Sequence, residues 1–539
     1  MSAARIVYHL ALADFKERIR RYSFLVTLVV TVLAAYLFLP PNDGSYVNIQ
    51  MNGHRGIYNS AMVGTITALM SSVFIFLAGF FLVRNTIHRD RITGVGEIIA
   101  TTPVRKPWYT LGKALSNAAV LITMIGVLFI AAAFMQLLRG ESYAIHPWRL
   151  LEPFLLIAVP TAVLIAAAAI ISEAIRLLSG IIGGILWFFL WIYGLTSDGF
   201  GRWDLYGITR TFSSLQQACM TAFPQDGPIT SRSIGFNFHD DGSPWHLTTF
   251  AWNGVPLTQH VLVQRLELVG VAIVVAAAAS LFFDRFRRTE VAGHERFTTR
   301  MVSHLQRVSQ RRWFGGGSRI QAAGVVSMET PMIGADHGHS QWSALFRAEW
   351  KLALYHNGAI WQLAALGLMI AMLFSPLNVT RSILWPISWF WPVLAWSALG
   401  NRETRYGTDQ IVFSTPKPVV RQLLMSWLAG MALAMAVSAP AALRLLLSGE
   451  VASMFAWCVG AAFVPALAVA LGVWSGSGRL FEVLYMVLMY LCAYERIPMF
   501  DFMGITGEGI VAGRSSAYLL ITVALLMLAI AGRRRQLQQ

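Results

Sequence analysis

Arg89-Asp90-Arg91-Ile92-Thr93-Gly94-Val95-Gly96-Glu97-Ile98, followed by Thr101-Thr102-Pro103, is a short polar stretch between two apolar runs. A second copy reads Arg402-Glu403-Thr404-Arg405-Tyr406-Gly407-Thr408-Asp409-Gln410-Ile411, followed by Ser414-Thr415-Pro416. In both, a basic–acidic pair precedes a glycine. In both, that glycine stands nine residues before a proline, which follows a hydroxyl residue. A repeat of this kind between apolar spans indicates two copies of one membrane unit. Each copy then presents an element of the same shape on the same side of the membrane.

The flanking composition supports this reading. The 539 residues are 56% hydrophobic and only 13% charged, about half the charge of a soluble chain. Spans of about 20 apolar residues recur. Twelve are expected, near 23–39, 62–83, 110–137, 151–171, 178–195, 266–283, 358–375, 382–399, 422–439, 451–473, 483–495 and 516–532. They lack strand-like alternation, so the expected fold is an all-α polytopic membrane protein of two pseudo-symmetric six-helix halves.

The net charge of +15 does not call for nucleic acid. With the N-terminus in the cytoplasm, most Lys and Arg fall on the cytoplasmic side, as polytopic chains require. The three cysteines, Cys219, Cys458 and Cys492, form no disulfide framework. The charged N-terminus is too long and mixed for a cleaved leader, so span one reads as an anchor.

Residues 3–21 are amphipathic at helical spacing, and 344–356 read as their second copy, aligning Asp14 with Glu349. Both fit interfacial helices. The first unit is expected over 1–283 and the second over 344–539. Between them, 284–343 reads as a basic, largely flexible cytoplasmic linker, solvated in the first reading and with arginines on anionic membrane lipid in the alternative. The loop 196–264 reads as a small outer cap. His239, Asp240, Asp241 and His246 lie there at no recognised ligand spacing, and turn chemistry explains them.

Motifs of catalysis are missing. There is no His-Glu-x-x-His, and Gly112-Lys113 lacks the upstream glycine of a P-loop. No metal, cofactor or catalytic residue is expected in this chain. Acids such as Glu173, Glu267, Asp284, Glu482 and Glu495 sit near span ends, so a mid-membrane ion relay is not expected. Any active transport would then be driven from outside the membrane.

Each polar repeat follows the second span of its half. The Thr-Pro step ends a helix there, because the residue before proline is pushed out of the helical region. The result is a cytoplasmic elbow over 84–107 and again over 400–421. This pattern resembles the permease subunits of type-2 ABC exporters, in which a coupling helix lies between spans two and three. Arg89, Asp90, Gly94, Glu97, Thr102, Pro103 and Arg105 match in the first half. Arg402, Glu403, Gly407, Thr415, Pro416 and Lys417 match in the second, with Gln410 replacing the Glu. Gly112-Lys113 also fits that family's start of span three. The resemblance implies a fused pair of six-span units that exports cargo using ATP. The ATP and magnesium would be bound by two copies of a separate soluble ABC subunit. It implies the plasma, or bacterial inner, membrane with both termini cytoplasmic. A secondary transporter of the major facilitator class is the rival, but its Asp-Arg-x-Gly-Arg turn is not matched at Asp90–Gly94. A membrane enzyme or assembly factor is a more distant alternative.

Gly180 and Gly184 share a Gly-x-x-x-Gly spacing suited to close helix packing. They read as generic helix packing or, as the resemblance implies, as part of the seam between halves. Trp385, Trp389 and Trp391 crowd span eight, beside Pro386 and Pro392; they read as an interfacial aromatic belt or, alternatively, as the lining of an apolar path for a hydrophobic or amphipathic cargo: a small molecule, peptide or lipid-like compound.

Overall fold

The computed structural model describes every residue except 1–2, 21, 42–43, 45, 176–177, 180, 197–202, 230, 239–244, 285, 287–337, 356–357, 409–411, 414–417, 450, 506–512 and 539. Gly180, Gln410, Thr415, Pro416, Asp240 and most of the predicted linker therefore lie outside the described residues.

Two helices open the chain: α1 (Ala3–Ile19) and α2 (Tyr22–Phe38). The strands β1 (Tyr46–Met51) and β2 (His54–Gly56) follow. Next come α3 (Ser60–Phe74), α4 (Phe80–Val83), α5 (Thr86–Ile92), α6 (Val95–Thr101) and the long α7 (Lys106–Arg139). After them stand α8 (Pro147–Pro153), α9 (Val159–Ala174), α10 (Ile181–Thr196) and α11 (Ile208–Ala222). Strands β3 (Arg232–Phe238) and β4 (Thr248–Phe250) precede α12 (Gln259–Phe282).

The remainder holds α13 (Gly338–Tyr355), α14 (Gly358–Phe374), α15 (Trp385–Phe390), α16 (Val393–Ser397) and α17 (Arg402–Tyr406). It ends with α18 (Pro418–Leu447), α19 (Val451–Ser475), α20 (Arg479–Met489) and α21 (Arg514–Gln538).

Among the described residues, seven helical stretches are long and apolar enough to cross a membrane: Ser60–Arg91, Lys106–Arg139, Pro147–Ala174, Gln259–Phe282, Val419–Leu447, Ala452–Ser475 and Arg514–Leu537. Three shorter apolar helices, Thr27–Phe38, Gly183–Leu195 and Trp361–Phe374, fall on predicted spans. The other two predicted spans are interrupted. Residues 382–399 break between α15 and α16, where Pro392 supplies no N–H. The span near 483–495 ends in a π-helical turn over Tyr490–Tyr494.

The helices pair in the same sequence order in both parts of the chain. α1 and α2 lie on α7, which packs on α9, which packs on α12. α13 and α14 lie on α18, which packs on α19, which packs on α21. An arginine closes each set at the same place. Arg139, ending α7, donates to the carbonyls of Tyr36 and Leu39 at the end of α2. Arg444, near the end of α18, donates to the carbonyls of Met372 (2.7 Å) and Ser375 (2.6 Å) at the end of α14. A cation there satisfies orphan helix carbonyls and suits the negative end of the dipole.

The two parts meet along an aromatic layer. Phe188 of α10 stacks on Phe390 of α15 with centroids 4.5 Å apart. Trp191 of α10 meets Tyr490 edge-on at 4.8 Å. α20 packs against α4.

The cap corrects the all-α expectation. It holds a four-stranded sheet in the order β3-β1-β2-β4, with β2 and β4 parallel and the other pairs antiparallel. The loop 196–264 does not build it alone: the loop near 40–61 supplies the two central strands. Asn52 (φ 46°) and Gly53 (φ 80°) form the two-residue turn between them, with both residues left-handed as such hairpins need. Arg55 clamps the hairpin to Glu141 after α7 with two bonds of 2.9 and 2.7 Å.

Candidate functional site

The first elbow begins where Arg84 turns extended and Asn85 turns left-handed (φ 70°). The helix α5 that follows has orphan N–H groups at its start. Glu173, at the end of α9, meets them: its carboxylate accepts from the N–H of Thr86 (2.9 Å), Ile87 (2.7 Å) and His88 (3.4 Å). Gly94 (φ 75°) then reverses the chain, with open space around it. Its conformation, not crowding, is what selects glycine. Thr102 is extended before Pro103 and ends α6, as a pre-proline residue should.

An ionic cluster binds α5, α1 and α7 together. Arg89 pairs with Asp14 and lies 3.3 Å from Glu17. Asp14 also accepts from Lys113 (2.9 Å) and Ser116 (2.6 Å). Lys113 bridges onward to Asp90 at 2.7 Å, and the Tyr109 hydroxyl donates to Asp90 at 2.8 Å. Gly112 lets α1 approach: a Cβ there would stand 2.7 Å from Leu10. Burial alone would raise the Asp14 carboxyl, but Arg18, Lys113, Ser116 and Arg89 together hold it down at about 2.

The second elbow uses the corresponding positions. Arg402 donates to Glu349 at 3.0 Å. Glu349 also bonds Ser426, which stands where Lys113 stands in the first copy. Glu403 accepts from Gln422, the counterpart of Tyr109, and from Arg533 of α21 at 3.0 Å. Arg533 also reaches the Gly400 carbonyl at 3.2 Å. Gly407 is left-handed (φ 63°), as Gly94 is. The charge balance differs, however. With one close cation and Glu403 nearby, burial wins and the Glu349 carboxyl is raised.

These contacts divide the sequence-predicted coupling residues. Arg89, Asp90, Arg402 and Glu403 face inward, where they hold the elbows. Glu97 faces out on α6, beside the exposed Val95 (42%) and Ile98 (67%). The buried residue of α6 is Gly96, where a Cβ would stand 2.5 Å from the Phe286 ring. Thr102 is half-buried and Pro103 exposed.

Two expectations need correction. A Cβ added at Gly184 would stand 3.0 Å from Phe81 of α4 and 3.3 Å from Arg84 just beyond it, so its close approach on that side is to the end of α4. Phe188, one turn on, makes the contact to α15. Trp385 and Trp389 are buried, and Trp389 packs on Trp396 and Phe502. Trp391 stacks on Trp361, and each indole donates to the other's carbonyl at 3.3 Å. Trp385 and Trp389 fill the interior and do not line an open path, and Trp391 is half-buried. Sequence reasoning also missed Asp14, Lys113 and Glu173 as parts of the site. Their signal was a charge placed where a helix end or a span start would bury it.

No family model matches the chain, and no curated protein or solved structure matches it.

Proposed function

We propose that this chain is the membrane subunit of an ATP-driven exporter, built as two pseudo-symmetric six-span units. Each elbow would dock one copy of a soluble ATP-binding subunit. The observation that carries this reading is the repeated anchor: Asp14–Arg89 and Glu349–Arg402 tie an elbow to the helix preceding span one in each half. Such an anchor turns an elbow into a lever. Force applied at α6 passes through Arg89 and Asp90 to α1 and α7, and the aromatic layer around Phe188 and Phe390 is where the halves would part. The exposed Val95, Glu97 and Ile98 offer an apolar contact with one charge at its centre. The cargo in this reading is hydrophobic or amphipathic, since the layer between the halves is aromatic. The membrane is the plasma, or bacterial inner, membrane. The elbow face is cytoplasmic, as the basic run Arg533-Arg534-Arg535 beside the second elbow supports.

Mild-detergent purification followed by an ATPase assay tests this. The expected result is two copies of an ATP-binding subunit per chain, with activity reduced at least about ten-fold by Ile98→Asp. A lone chain that drives uptake from a proton gradient would instead favour the secondary transporter.

A further inference from the structure

A cavity opens on the cap face, opposite the elbows, at the junction of α8, α11 and α12. It holds about 40 Å³, room for roughly three waters. Thr65, Pro153 and Ile157 form its apolar wall, and three arginines, Arg149, Arg210 and Arg265, line it with one carboxylate, Glu152. Arg149 is steadied by Asn253 at 2.8 Å. Arg265 is buried and spends its terminal nitrogens on the carbonyls of Trp203 and Asp204 at 3.1 Å. Its Nε finds no hydrogen-bond partner, and neither does the buried Nη1 of Arg210. The Asp204 carboxylate accepts from the N–H of Thr209 and Arg210 at 3.1 Å, at the start of α11, and offsets part of the Arg265 charge.

Buried guanidinium donors without partners are costly unless something fills them. Three arginines stand against the two carboxylates of Glu152 and Asp204, so the cavity keeps a net positive charge. Its size suits one tetrahedral oxyanion, and guanidiniums bind phosphate oxygens in pairs.

We propose that this cavity binds a phosphate group, with Arg210 and Arg265 as its donors and Arg149 closing the mouth. The phosphate comes from a phospholipid headgroup or from solution. The site stands independently of the exporter reading, because none of its residues belongs to either elbow.

The purified full chain tests it in two arms. In the first, inorganic phosphate is titrated in detergent and the unfolding midpoint followed. In the second, the chain is placed in nanodiscs of phosphatidylglycerol or of a phosphate-free glycolipid, and bound lipid is read by native mass spectrometry. Saturable stabilisation by phosphate identifies a free-phosphate site. Retention of phosphatidylglycerol alone identifies a headgroup site. In either case Arg210→Gln weakens binding at least about ten-fold, as expected for a lost charge-assisted bond. Arg149→Gln serves as a second variant. Absence of binding in both arms, or binding unchanged in both variants, overturns the proposal.

Discussion

Arg402 reaches back across the sequence to Glu349, Nη1 to Oε2 at 3.0 Å, and so ties the second elbow to the helix that precedes its first span. Arg89 does the same with Asp14 in the first half. The two pairs share a place in the fold but not a charge balance, and their consequences differ.

Removing the Asp14 carboxylate strands Lys113, Arg89 and Arg18 around one buried spot. Breaking a buried ion pair by deleting one partner costs about 3 kcal/mol or more. Asp14→Asn is therefore expected to lower the unfolding midpoint strongly, whereas Glu349→Gln, which loses the pair with the partly exposed Arg402 but also relieves a buried charge, shifts it by no more than about 1 kcal/mol. Thermal unfolding of both variants in one detergent checks the order.

The pH responses run in opposite directions. Asp14 is depressed from 3.8 to about 2 in the folded chain, so its stabilisation is full above pH 3.8 and lost only as pH falls through about 2. Glu349 is raised above 4.5, so its contribution is intact below pH 4.5 and declines as pH climbs through the raised value. Spin-label distances should find α1 fixed on α7 down to about pH 3. The α13–α18 contact should loosen between acid and neutral pH, and Glu349→Gln should remove that loosening.

Gly96 is pinned against Phe286. Gly96→Leu should displace α6 and reduce coupled ATPase activity at least about ten-fold, with little effect on the assembly of the spans. Adding Phe286→Ala opens the space and should restore part of the activity. A double-mutant cycle on ATPase rate reads the coupling directly.

Glu173 caps α5 with three N–H contacts. Glu173→Gln retains shape but weakens acceptance, and Glu173→Ala leaves the three N–H groups at the start of α5 without this acceptor. The Ala variant should cost about 1–3 kcal/mol and raise hydrogen exchange at Thr86–His88, with smaller changes for Gln.

Much of this was legible in the sequence. The polar repeat marked α5 and α17 and the left-handed Gly94 and Gly407 after them, and the alignment of Asp14 with Glu349 marked α1 and α13, which they contact. Gly112-Lys113 was read only as the start of a span; its use by Leu10 and Asp14 depends on a contact between segments far apart in the chain. The cap hairpin was legible and passed over: alternating Tyr46–Met51 followed by Asn52-Gly53 is a hairpin in its own right. What apolar runs do not encode is which face of a tryptophan-rich span meets protein. Trp385 and Trp389 therefore suggested a path where the fold builds an interior. The inward role of Arg89 was hidden for the same reason, since a charge at a membrane edge reads equally as a surface contact.

The most direct test of the central claim places a photo-reactive amino acid at Ile98, the most exposed apolar residue of α6, in membranes of cells making the full chain. The account predicts an adduct with a nucleotide-binding subunit, identified by its P-loop peptide and lost in the Val95→Asp variant. Cross-links only to lipid or to this chain itself, under conditions where the transported cargo still leaves the cell, would contradict it.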